Sequence, residues 1–304
     1  TTYVPRSFPV WKDKFSFFYC ANEKVKNHLI SNKVKEEKIQ VVGQLVVEGV
    51  NPTMTKEETF RKWNLAPEKL TIGIFPGSRL YNMQDSLPVF LKIADEIAEE
   101  KPGAQFVVGV SPFLDFADIK ETVTNPQSPL ESTKGQIEAD GDIYQIKTDA
   151  GTVLKLVFQM QYDIMNISDL VLTIPGTNTA ECAYMGKPLI VISSWKARVP
   201  QGGLGVLIHQ LPIGSFRRKL MMKALKKIKF TALPNLIADK KLVPEVIVES
   251  EASEVTRVAL GLINNEQKRK ELGKQLKEIM GEAGASSKIS EHIINYLNEK
   301  EIRE

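Results

Sequence analysis

Two short apolar runs in this 304-residue chain end in the same way. Thr71-Ile-Gly-Ile-Phe75 passes into Pro76-Gly77-Ser78-Arg79, and Asp169-Leu-Val-Leu-Thr-Ile174 passes into Pro175-Gly176-Thr177-Asn178-Thr179-Ala180-Glu181. A buried strand followed by a glycine turn, a hydroxyl and a helix start leaves backbone N–H groups facing outward, where an anion can be held. Arg79 adds a planar fork of donors that suits phosphate. Ligands of open parallel sheets bind outside the carboxyl ends of the strands, so the pair predicts one nucleotide-binding crevice at the rim of an α/β sheet.

The rest of the chain alternates in the same sense. Phe15 to Ala21 reads as a strand, Glu23 to Ser31 as a helix and Ile39 to Val42 as a second strand ending at Gly43, a βαβ unit. A connector over 49–70 holds a polar helix near Lys56 to Trp63. Strand 71–75 leads to a helix from about Asp85 to Glu100, which places Pro88 in the first turn, where a missing N–H is harmless. Gln105 to Val110 is the next strand. Ile143 to Lys147 and Thr152 to Val157, joined across Asp149-Ala150-Gly151, read as an added β-hairpin. Helix 161–167, strand 169–174, helix 178–185 closed by Gly186, and strand 189–192 resume the rhythm, and three amphipathic helices cover 253–264, 266–280 and 288–298. Such alternation predicts a parallel sheet covered by helices on both faces.

Composition excludes several classes. The chain is 42% hydrophobic and 25% charged, as in ordinary globular proteins, and its net charge of +3 gives no general case for nucleic acid. Cys20 and Cys182 both lie in apolar segments, which points to a reducing compartment, and His28, His209 and His292 have no metal-ligand spacing. No apolar run approaches the roughly 20 residues that cross a bilayer, which leaves a cytoplasmic or peripheral protein. The chain opens on Thr1-Thr2, and its first unit reads as the end of a larger domain.

Each candidate residue also has a plain structural reading. Gly77 and Ser78 could simply make a turn, and Arg79 could be solvated. Asn178 and Glu181 have the spacing of a capping box, in which Asn178 accepts from the Glu181 amide and the carboxylate reaches back; that carboxylate could equally accept two ribose hydroxyls. Asn235 after Pro234 could be a helix N-cap, and Cys182 and Met185 fit core packing.

Phe75-Pro-Gly-Ser-Arg79, Ser168 through Glu181, Gly186-Lys-Pro-Leu-Ile-Val191 and Leu233-Pro-Asn-Leu-Ile-Ala through Pro244-Glu245 together resemble the lipid-A-disaccharide synthases, inverting glycosyltransferases of GT-B fold. The resemblance covers most of residues 40–298. It implies that 1–48 are the tail of an acceptor-side Rossmann-like domain and 49–304 a complete nucleotide-sugar-binding domain with a hairpin insertion near 135–157. By the same resemblance Gly77, Ser78 and Arg79 would contact the diphosphate or uracil side of a UDP-sugar. Gly176, Thr177, Asn178, Thr179 and Glu181 would hold phosphate and ribose, and Asn235 would complete the donor pocket. The family's chemistry implies an acylated glucosamine donor, an acylated glucosamine phosphate acceptor, no cofactor and no metal, and its members can form homodimers.

Three departures stand out. The family's glycine-rich loop and acidic base have no counterpart here, the hairpin is extra, and Ile174-Pro175 replaces smaller residues. Related readings are a UDP-N-acetylglucosamine 2-epimerase and a non-catalytic UDP-sugar-binding module. Finally, Gly214 to Lys229 is basic and amphipathic: Phe216 lies with the apolar face, and Arg217, Arg218, Lys219, Lys223, Lys226 and Lys227 lie elsewhere. Such a helix fits either an anionic membrane surface, on the inner face of the cytoplasmic membrane, or a solvated protein face.

Overall fold

The computed structural model describes residues 12–128, 130–194, 229–248 and 251–301. The chain begins with a small layer: β1 (Phe18–Cys20) and β2 (Ile39–Val41) pair in parallel across α1 (Glu23–Ser31). Cys20, Val25, Leu29, Val34 and Ile39 form its core. Asn22 caps α1 by accepting from the Val25 amide at 3.0 Å. α2 (Lys56–Lys62) follows, started by a Thr55–Glu58 capping box. The buried Asp163 carboxylate accepts from the amides of Thr53 and Met54 and from the Thr53 hydroxyl, which ties the entrance of α2 to the main layer.

The main layer is an eight-stranded sheet. Its strands are β3 (Thr71–Phe75), β4 (Gln105–Val110), β5 (Gly135–Asp140), β6 (Ile143–Thr148), β7 (Val153–Phe158), β8 (Leu170–Thr173), β9 (Leu189–Ser194) and β10 (Glu245–Val248), in the order β10-β9-β8-β3-β4-β7-β6-β5. Every pairing from β10 to β7 is parallel, while β6 pairs antiparallel with β7 and β5 with β6. The added hairpin is therefore β5–β6. The Thr152 to Val157 run, read from sequence as its second arm, is β7: it turns back across residues 149–151 as expected but also pairs along β4 as a member of the parallel sheet.

Side chains alternate across the strands and fill two cores. Ile72 and Ile74 of β3, with Phe106, Val108 and Val110 of β4, face α3 (Leu80–Glu100) and α8 (Ser253–Ile263). Phe75, Val107, Val171 and Val191 face the other way, toward α5 (Gln161–Ile167), α6 (Asn178–Tyr184) and α9 (Glu266–Met280). Strands buried on both faces need continuous apolar runs, and these runs are what made them visible in the sequence.

Two elements differ from the sequence reading. α3 begins at Leu80, five residues before the expected start, so Pro88 sits mid-helix and the Gln84 carbonyl lacks its usual donor. Neighbouring chain supports this stretch, with the Ser128 hydroxyl donating to Asp85 O and the Thr133 amide to Pro88 O, both at 3.1 Å. The second is α4 (Phe116–Thr124), capped by Asp115, which the sequence pattern did not bring out.

After β9 come α7 (Leu233–Ala238), β10, α8, α9 and α10 (Ala285–Glu301). α10 returns to the first layer: Glu48 accepts from the amides of Gly284 and Ala285 and the Ser286 hydroxyl, and Phe17 stacks edge-on against His292 and Tyr296. The basic stretch containing Phe216, Arg217, Arg218, Lys219, Lys223, Lys226 and Lys227 lies outside the described residues. No helix among the described residues is long and apolar enough to cross a membrane.

Candidate functional site

The strand order locates the crevice. From β3 the chain builds outward through β4 and β7, then returns by α5 to lay β8 on the opposite side of β3. The β3 and β8 carboxyl ends are therefore the topological switch point, where the loops diverge and leave a cleft. Both sequence-singled turns leave from these two strands, which pair in register from Ile72↔Leu170 to Phe75↔Thr173.

The turns touch. Gly77 has φ +111°, a conformation that strains any L side chain, and a Cβ there would lie 2.7 Å from Ile174 Cδ1 and 3.0 Å from Asn82 Cβ. Ile174, a departure from the small residue usual in the resembled family, thus packs directly on the first turn. Thr173 ties the two strand ends, donating to Phe75 O at 3.1 Å and accepting from Asn178 Nδ2 at 2.9 Å. Sequence reasoning passed over Thr173; its signal is a hydroxyl closing an otherwise aliphatic strand.

Ser78 and Arg79 are exposed, and Arg79 Nη1 donates to the Tyr81 hydroxyl at 2.8 Å. Arg79 occupies the N-cap of α3 without capping it, so the first-turn amides of that long helix keep open positions. Gly176 and Thr177 are exposed at the start of α6. The rim therefore presents two helix starts and one guanidinium, all favourable to negative charge.

The other candidates divide. No capping box forms at Asn178: its side chain bonds Thr173, and the Glu181 amide donates to the Thr177 carbonyl instead. Burial pushes the Glu181 carboxyl from 4.5 up to about 7, with a hydrogen bond from Thr177 working in the opposite direction. Tyr162, which the sequence reading missed, is close enough for the Glu181 charge to add to the burial that raises its phenol.

Thr179 and Asn235 are both held by hydrogen bonds within the fold. Thr179 is fully buried, its hydroxyl donating to Gly176 O and accepting from the Leu233 amide. Asn235 is also fully buried. Its Oδ1 accepts from the amides of Leu242 and Val243, and its Nδ2 donates to Val243 O and to Glu245 Oε1 at 2.7 Å. It lies inside α7 and is not an N-cap, and no hydrogen-bonding position remains for a ligand. Glu245 in turn accepts from the amides of Thr231 and Ala232 and the Thr231 hydroxyl. Cys20 and Cys182 are buried and free, and burial raises both thiols. No group of three or more metal-ligating side chains occurs among the described residues.

No family model matches the chain. It is 24% identical over 266 residues to a lipid-A-disaccharide synthase of Geobacter sulfurreducens, covering 86% of this chain and 58% of that protein. It is 27% identical over 220 residues to a lipid-A-disaccharide synthase 2 of Legionella pneumophila, covering 72% and 46% respectively. The chain thus spans about half to three fifths of the length of these curated relatives. Among solved structures, it superposes on a UDP-GlcNAc 2-epimerase from Neisseria meningitidis bound to UDP-GlcNAc, with TM-score 0.55, 15% identity and coverage of 93% and 62%. It superposes on S. aureus MnaA with UDP at TM-score 0.58, 13% identity and coverage of 94% and 62%. In sequence the chain is similar to the lipid-A-disaccharide synthases over most of its length, and in fold it is a GT-B-type Rossmann-like layer.

Proposed function

We propose that the crevice between the β3 and β8 turns binds the UDP part of a UDP-sugar, and that the whole protein is a glycosyltransferase of lipid-A-disaccharide synthase type. The contact of Gly77 with Ile174 carries the reading, because it brings both phosphate-suited turns to one cleft at the switch point. In this reading Arg79 and the open first-turn amides of α3, with the exposed Gly176-Thr177 turn facing them, stabilise the charge that develops on the departing diphosphate, and Glu181 accepts ribose hydroxyls. The acceptor is an acylated glucosamine phosphate whose hydroxyl proton needs a general base, a role that none of these donor-side residues fills. Contact with a membrane surface through the basic 214–229 stretch, the homodimer, and a division into acceptor-side and donor-side domains near residue 48 belong to the same proposal.

Calorimetry with a UDP-sugar tests the donor site. The diphosphate of such a ligand is esterified at both ends and does not titrate near neutrality, so pH dependence reports the protein. Affinity should rise about tenfold between about pH 6 and pH 8 as Glu181 ionises, and Glu181→Gln should flatten the profile. Affinity that is constant with pH in the parent chain would remove Glu181 from the site. The same carboxyl acts on stability: because folding raises its pKa, its contribution is present below 4.5 and is lost as pH climbs to about 7. The transferase reading has its own check: UDP-ManNAc formed by the full-length protein from UDP-GlcNAc alone would replace it with an epimerase.

A further inference from the structure

At the opposite edge of the sheet, where β3, β8 and β9 begin, lies an open cavity of about 860 Å³. Its lining holds eight basic side chains against three acidic ones, a local excess of five positive charges in a chain whose total is +3. One wall is a face of α9, on which Arg269, Lys270, Lys274 and Lys277 recur at helical spacing. The floor is the turn after α6, where a Cβ on Gly273 would lie 2.4 Å from the Gly186 carbonyl oxygen and where Lys277 lies so close across Gly186 that a Cβ there would come within 2.7 Å of it.

Lys187 sits at the centre, half-buried. Its ammonium donates to the carbonyls of Asn166 (2.5 Å) and Ser168 (3.4 Å), with no ion pair among the described residues. Burial lowers its pKa to about 8, with Lys56 and Lys277 pushing the same way against Asp169. Internal needs account for only part of this charge. Lys270 pairs with Glu266, and Arg269 caps the last carbonyls of α8. The helices α3, α5 and α6 end at this edge, but each terminus carries only about half a negative charge. Lys56, Lys274 and Lys277 are exposed at the cavity mouth and make no ion pair among the described residues. Assembling like charges around a desolvated amine is costly unless something of opposite sign occupies the space.

We propose that this cavity binds a multiply charged phosphate group, independently of the crevice at the carboxyl edge. The ligand is a compact anion with two or more phosphate charges, either free in solution or presented as a phosphomonoester headgroup on a lipid surface. The test compares the full chain with a Lys56→Gln/Lys274→Gln/Lys277→Gln variant, whose changes are exposed and should spare folding, and adds Lys187→Met separately. Each protein is first mixed with excess UDP, then titrated calorimetrically with inorganic tripolyphosphate, and is also floated with vesicles of phosphatidic acid in phosphatidylcholine.

Tripolyphosphate binding that the triple variant weakens roughly tenfold or more, with UDP affinity unchanged, identifies a free anion as ligand. Flotation on phosphatidic acid that the triple variant loses, without tripolyphosphate binding, identifies a headgroup. If neither probe binds, or both bind the triple variant as tightly as the parent, the proposal is overturned. The donor-site reading fails separately, through absent UDP binding in the parent chain, and leaves this comparison readable.

Discussion

Asn235→Ala is expected to destabilise the fold by roughly 3–5 kcal/mol while leaving the UDP affinity of the remaining folded protein unchanged. The substitution strands the buried Val243 amide, leaves the Leu242 amide only its bond to the Lys240 carbonyl, and removes the donor to the Val243 carbonyl and the Glu245 carboxylate. Each buried group left without a partner costs about 1–3 kcal/mol, and the void adds to it. Total stability of a domain is only about 5–15 kcal/mol, so the variant approaches the limit of folding. Urea unfolding at constant m-value reads the effect. Asn235→Asp should be at least as damaging at neutral pH, because it sets a second carboxylate against Glu245. Loss of UDP binding at undiminished stability would instead return Asn235 to the ligand.

Arg79→Ala should show the reverse pattern. Its side chain is exposed and its bond to Tyr81 lies at the surface, so stability should stay within about 0.5 kcal/mol of the parent. A charge-assisted contact to phosphate is worth about 1.5–3 kcal/mol, which predicts a loss of UDP affinity of roughly ten- to hundredfold. Arg79→Lys should recover only part of it, since an ammonium cannot reproduce the two-pronged geometry. Calorimetry with UDP, paired with a thermal unfolding scan, checks both halves. An unchanged dissociation constant in Arg79→Ala would remove the guanidinium from the site.

The two variants mark how far the sequence can be read. Leu-Pro-Asn followed by Pro-Glu looks like ligand chemistry when seen as a motif, yet Asn235 and Glu245 spend their hydrogen bonds on each other and on buried backbone. A motif records which residues are required and is silent on whether a ligand or the fold requires them. Thr179 follows the same rule, since its hydroxyl joins α6 to the start of α7. The cation face of α9 was present in the sequence at regular spacing, but only packing against the Gly186 turn gathers it around Lys187.

What the sequence determined by itself was the succession of elements and the chemistry of the two turns. Strands such as Thr71–Phe75 and Gln105–Val110 are continuous apolar runs because both faces are covered, and a glycine at φ +111° is a local demand of the backbone. What only the tertiary structure decided was strand order and ownership. Pairing partners far apart in sequence are set by which apolar faces bury each other, not by any local pattern. This is why the 153–158 run joins β4, why β8 lies beside β3, and why Gly77 meets Ile174. Burial, which is equally non-local, then raised the Glu181 carboxyl to about 7 and lowered the Lys187 ammonium to about 8, with Lys56 and Lys277 adding to the second shift.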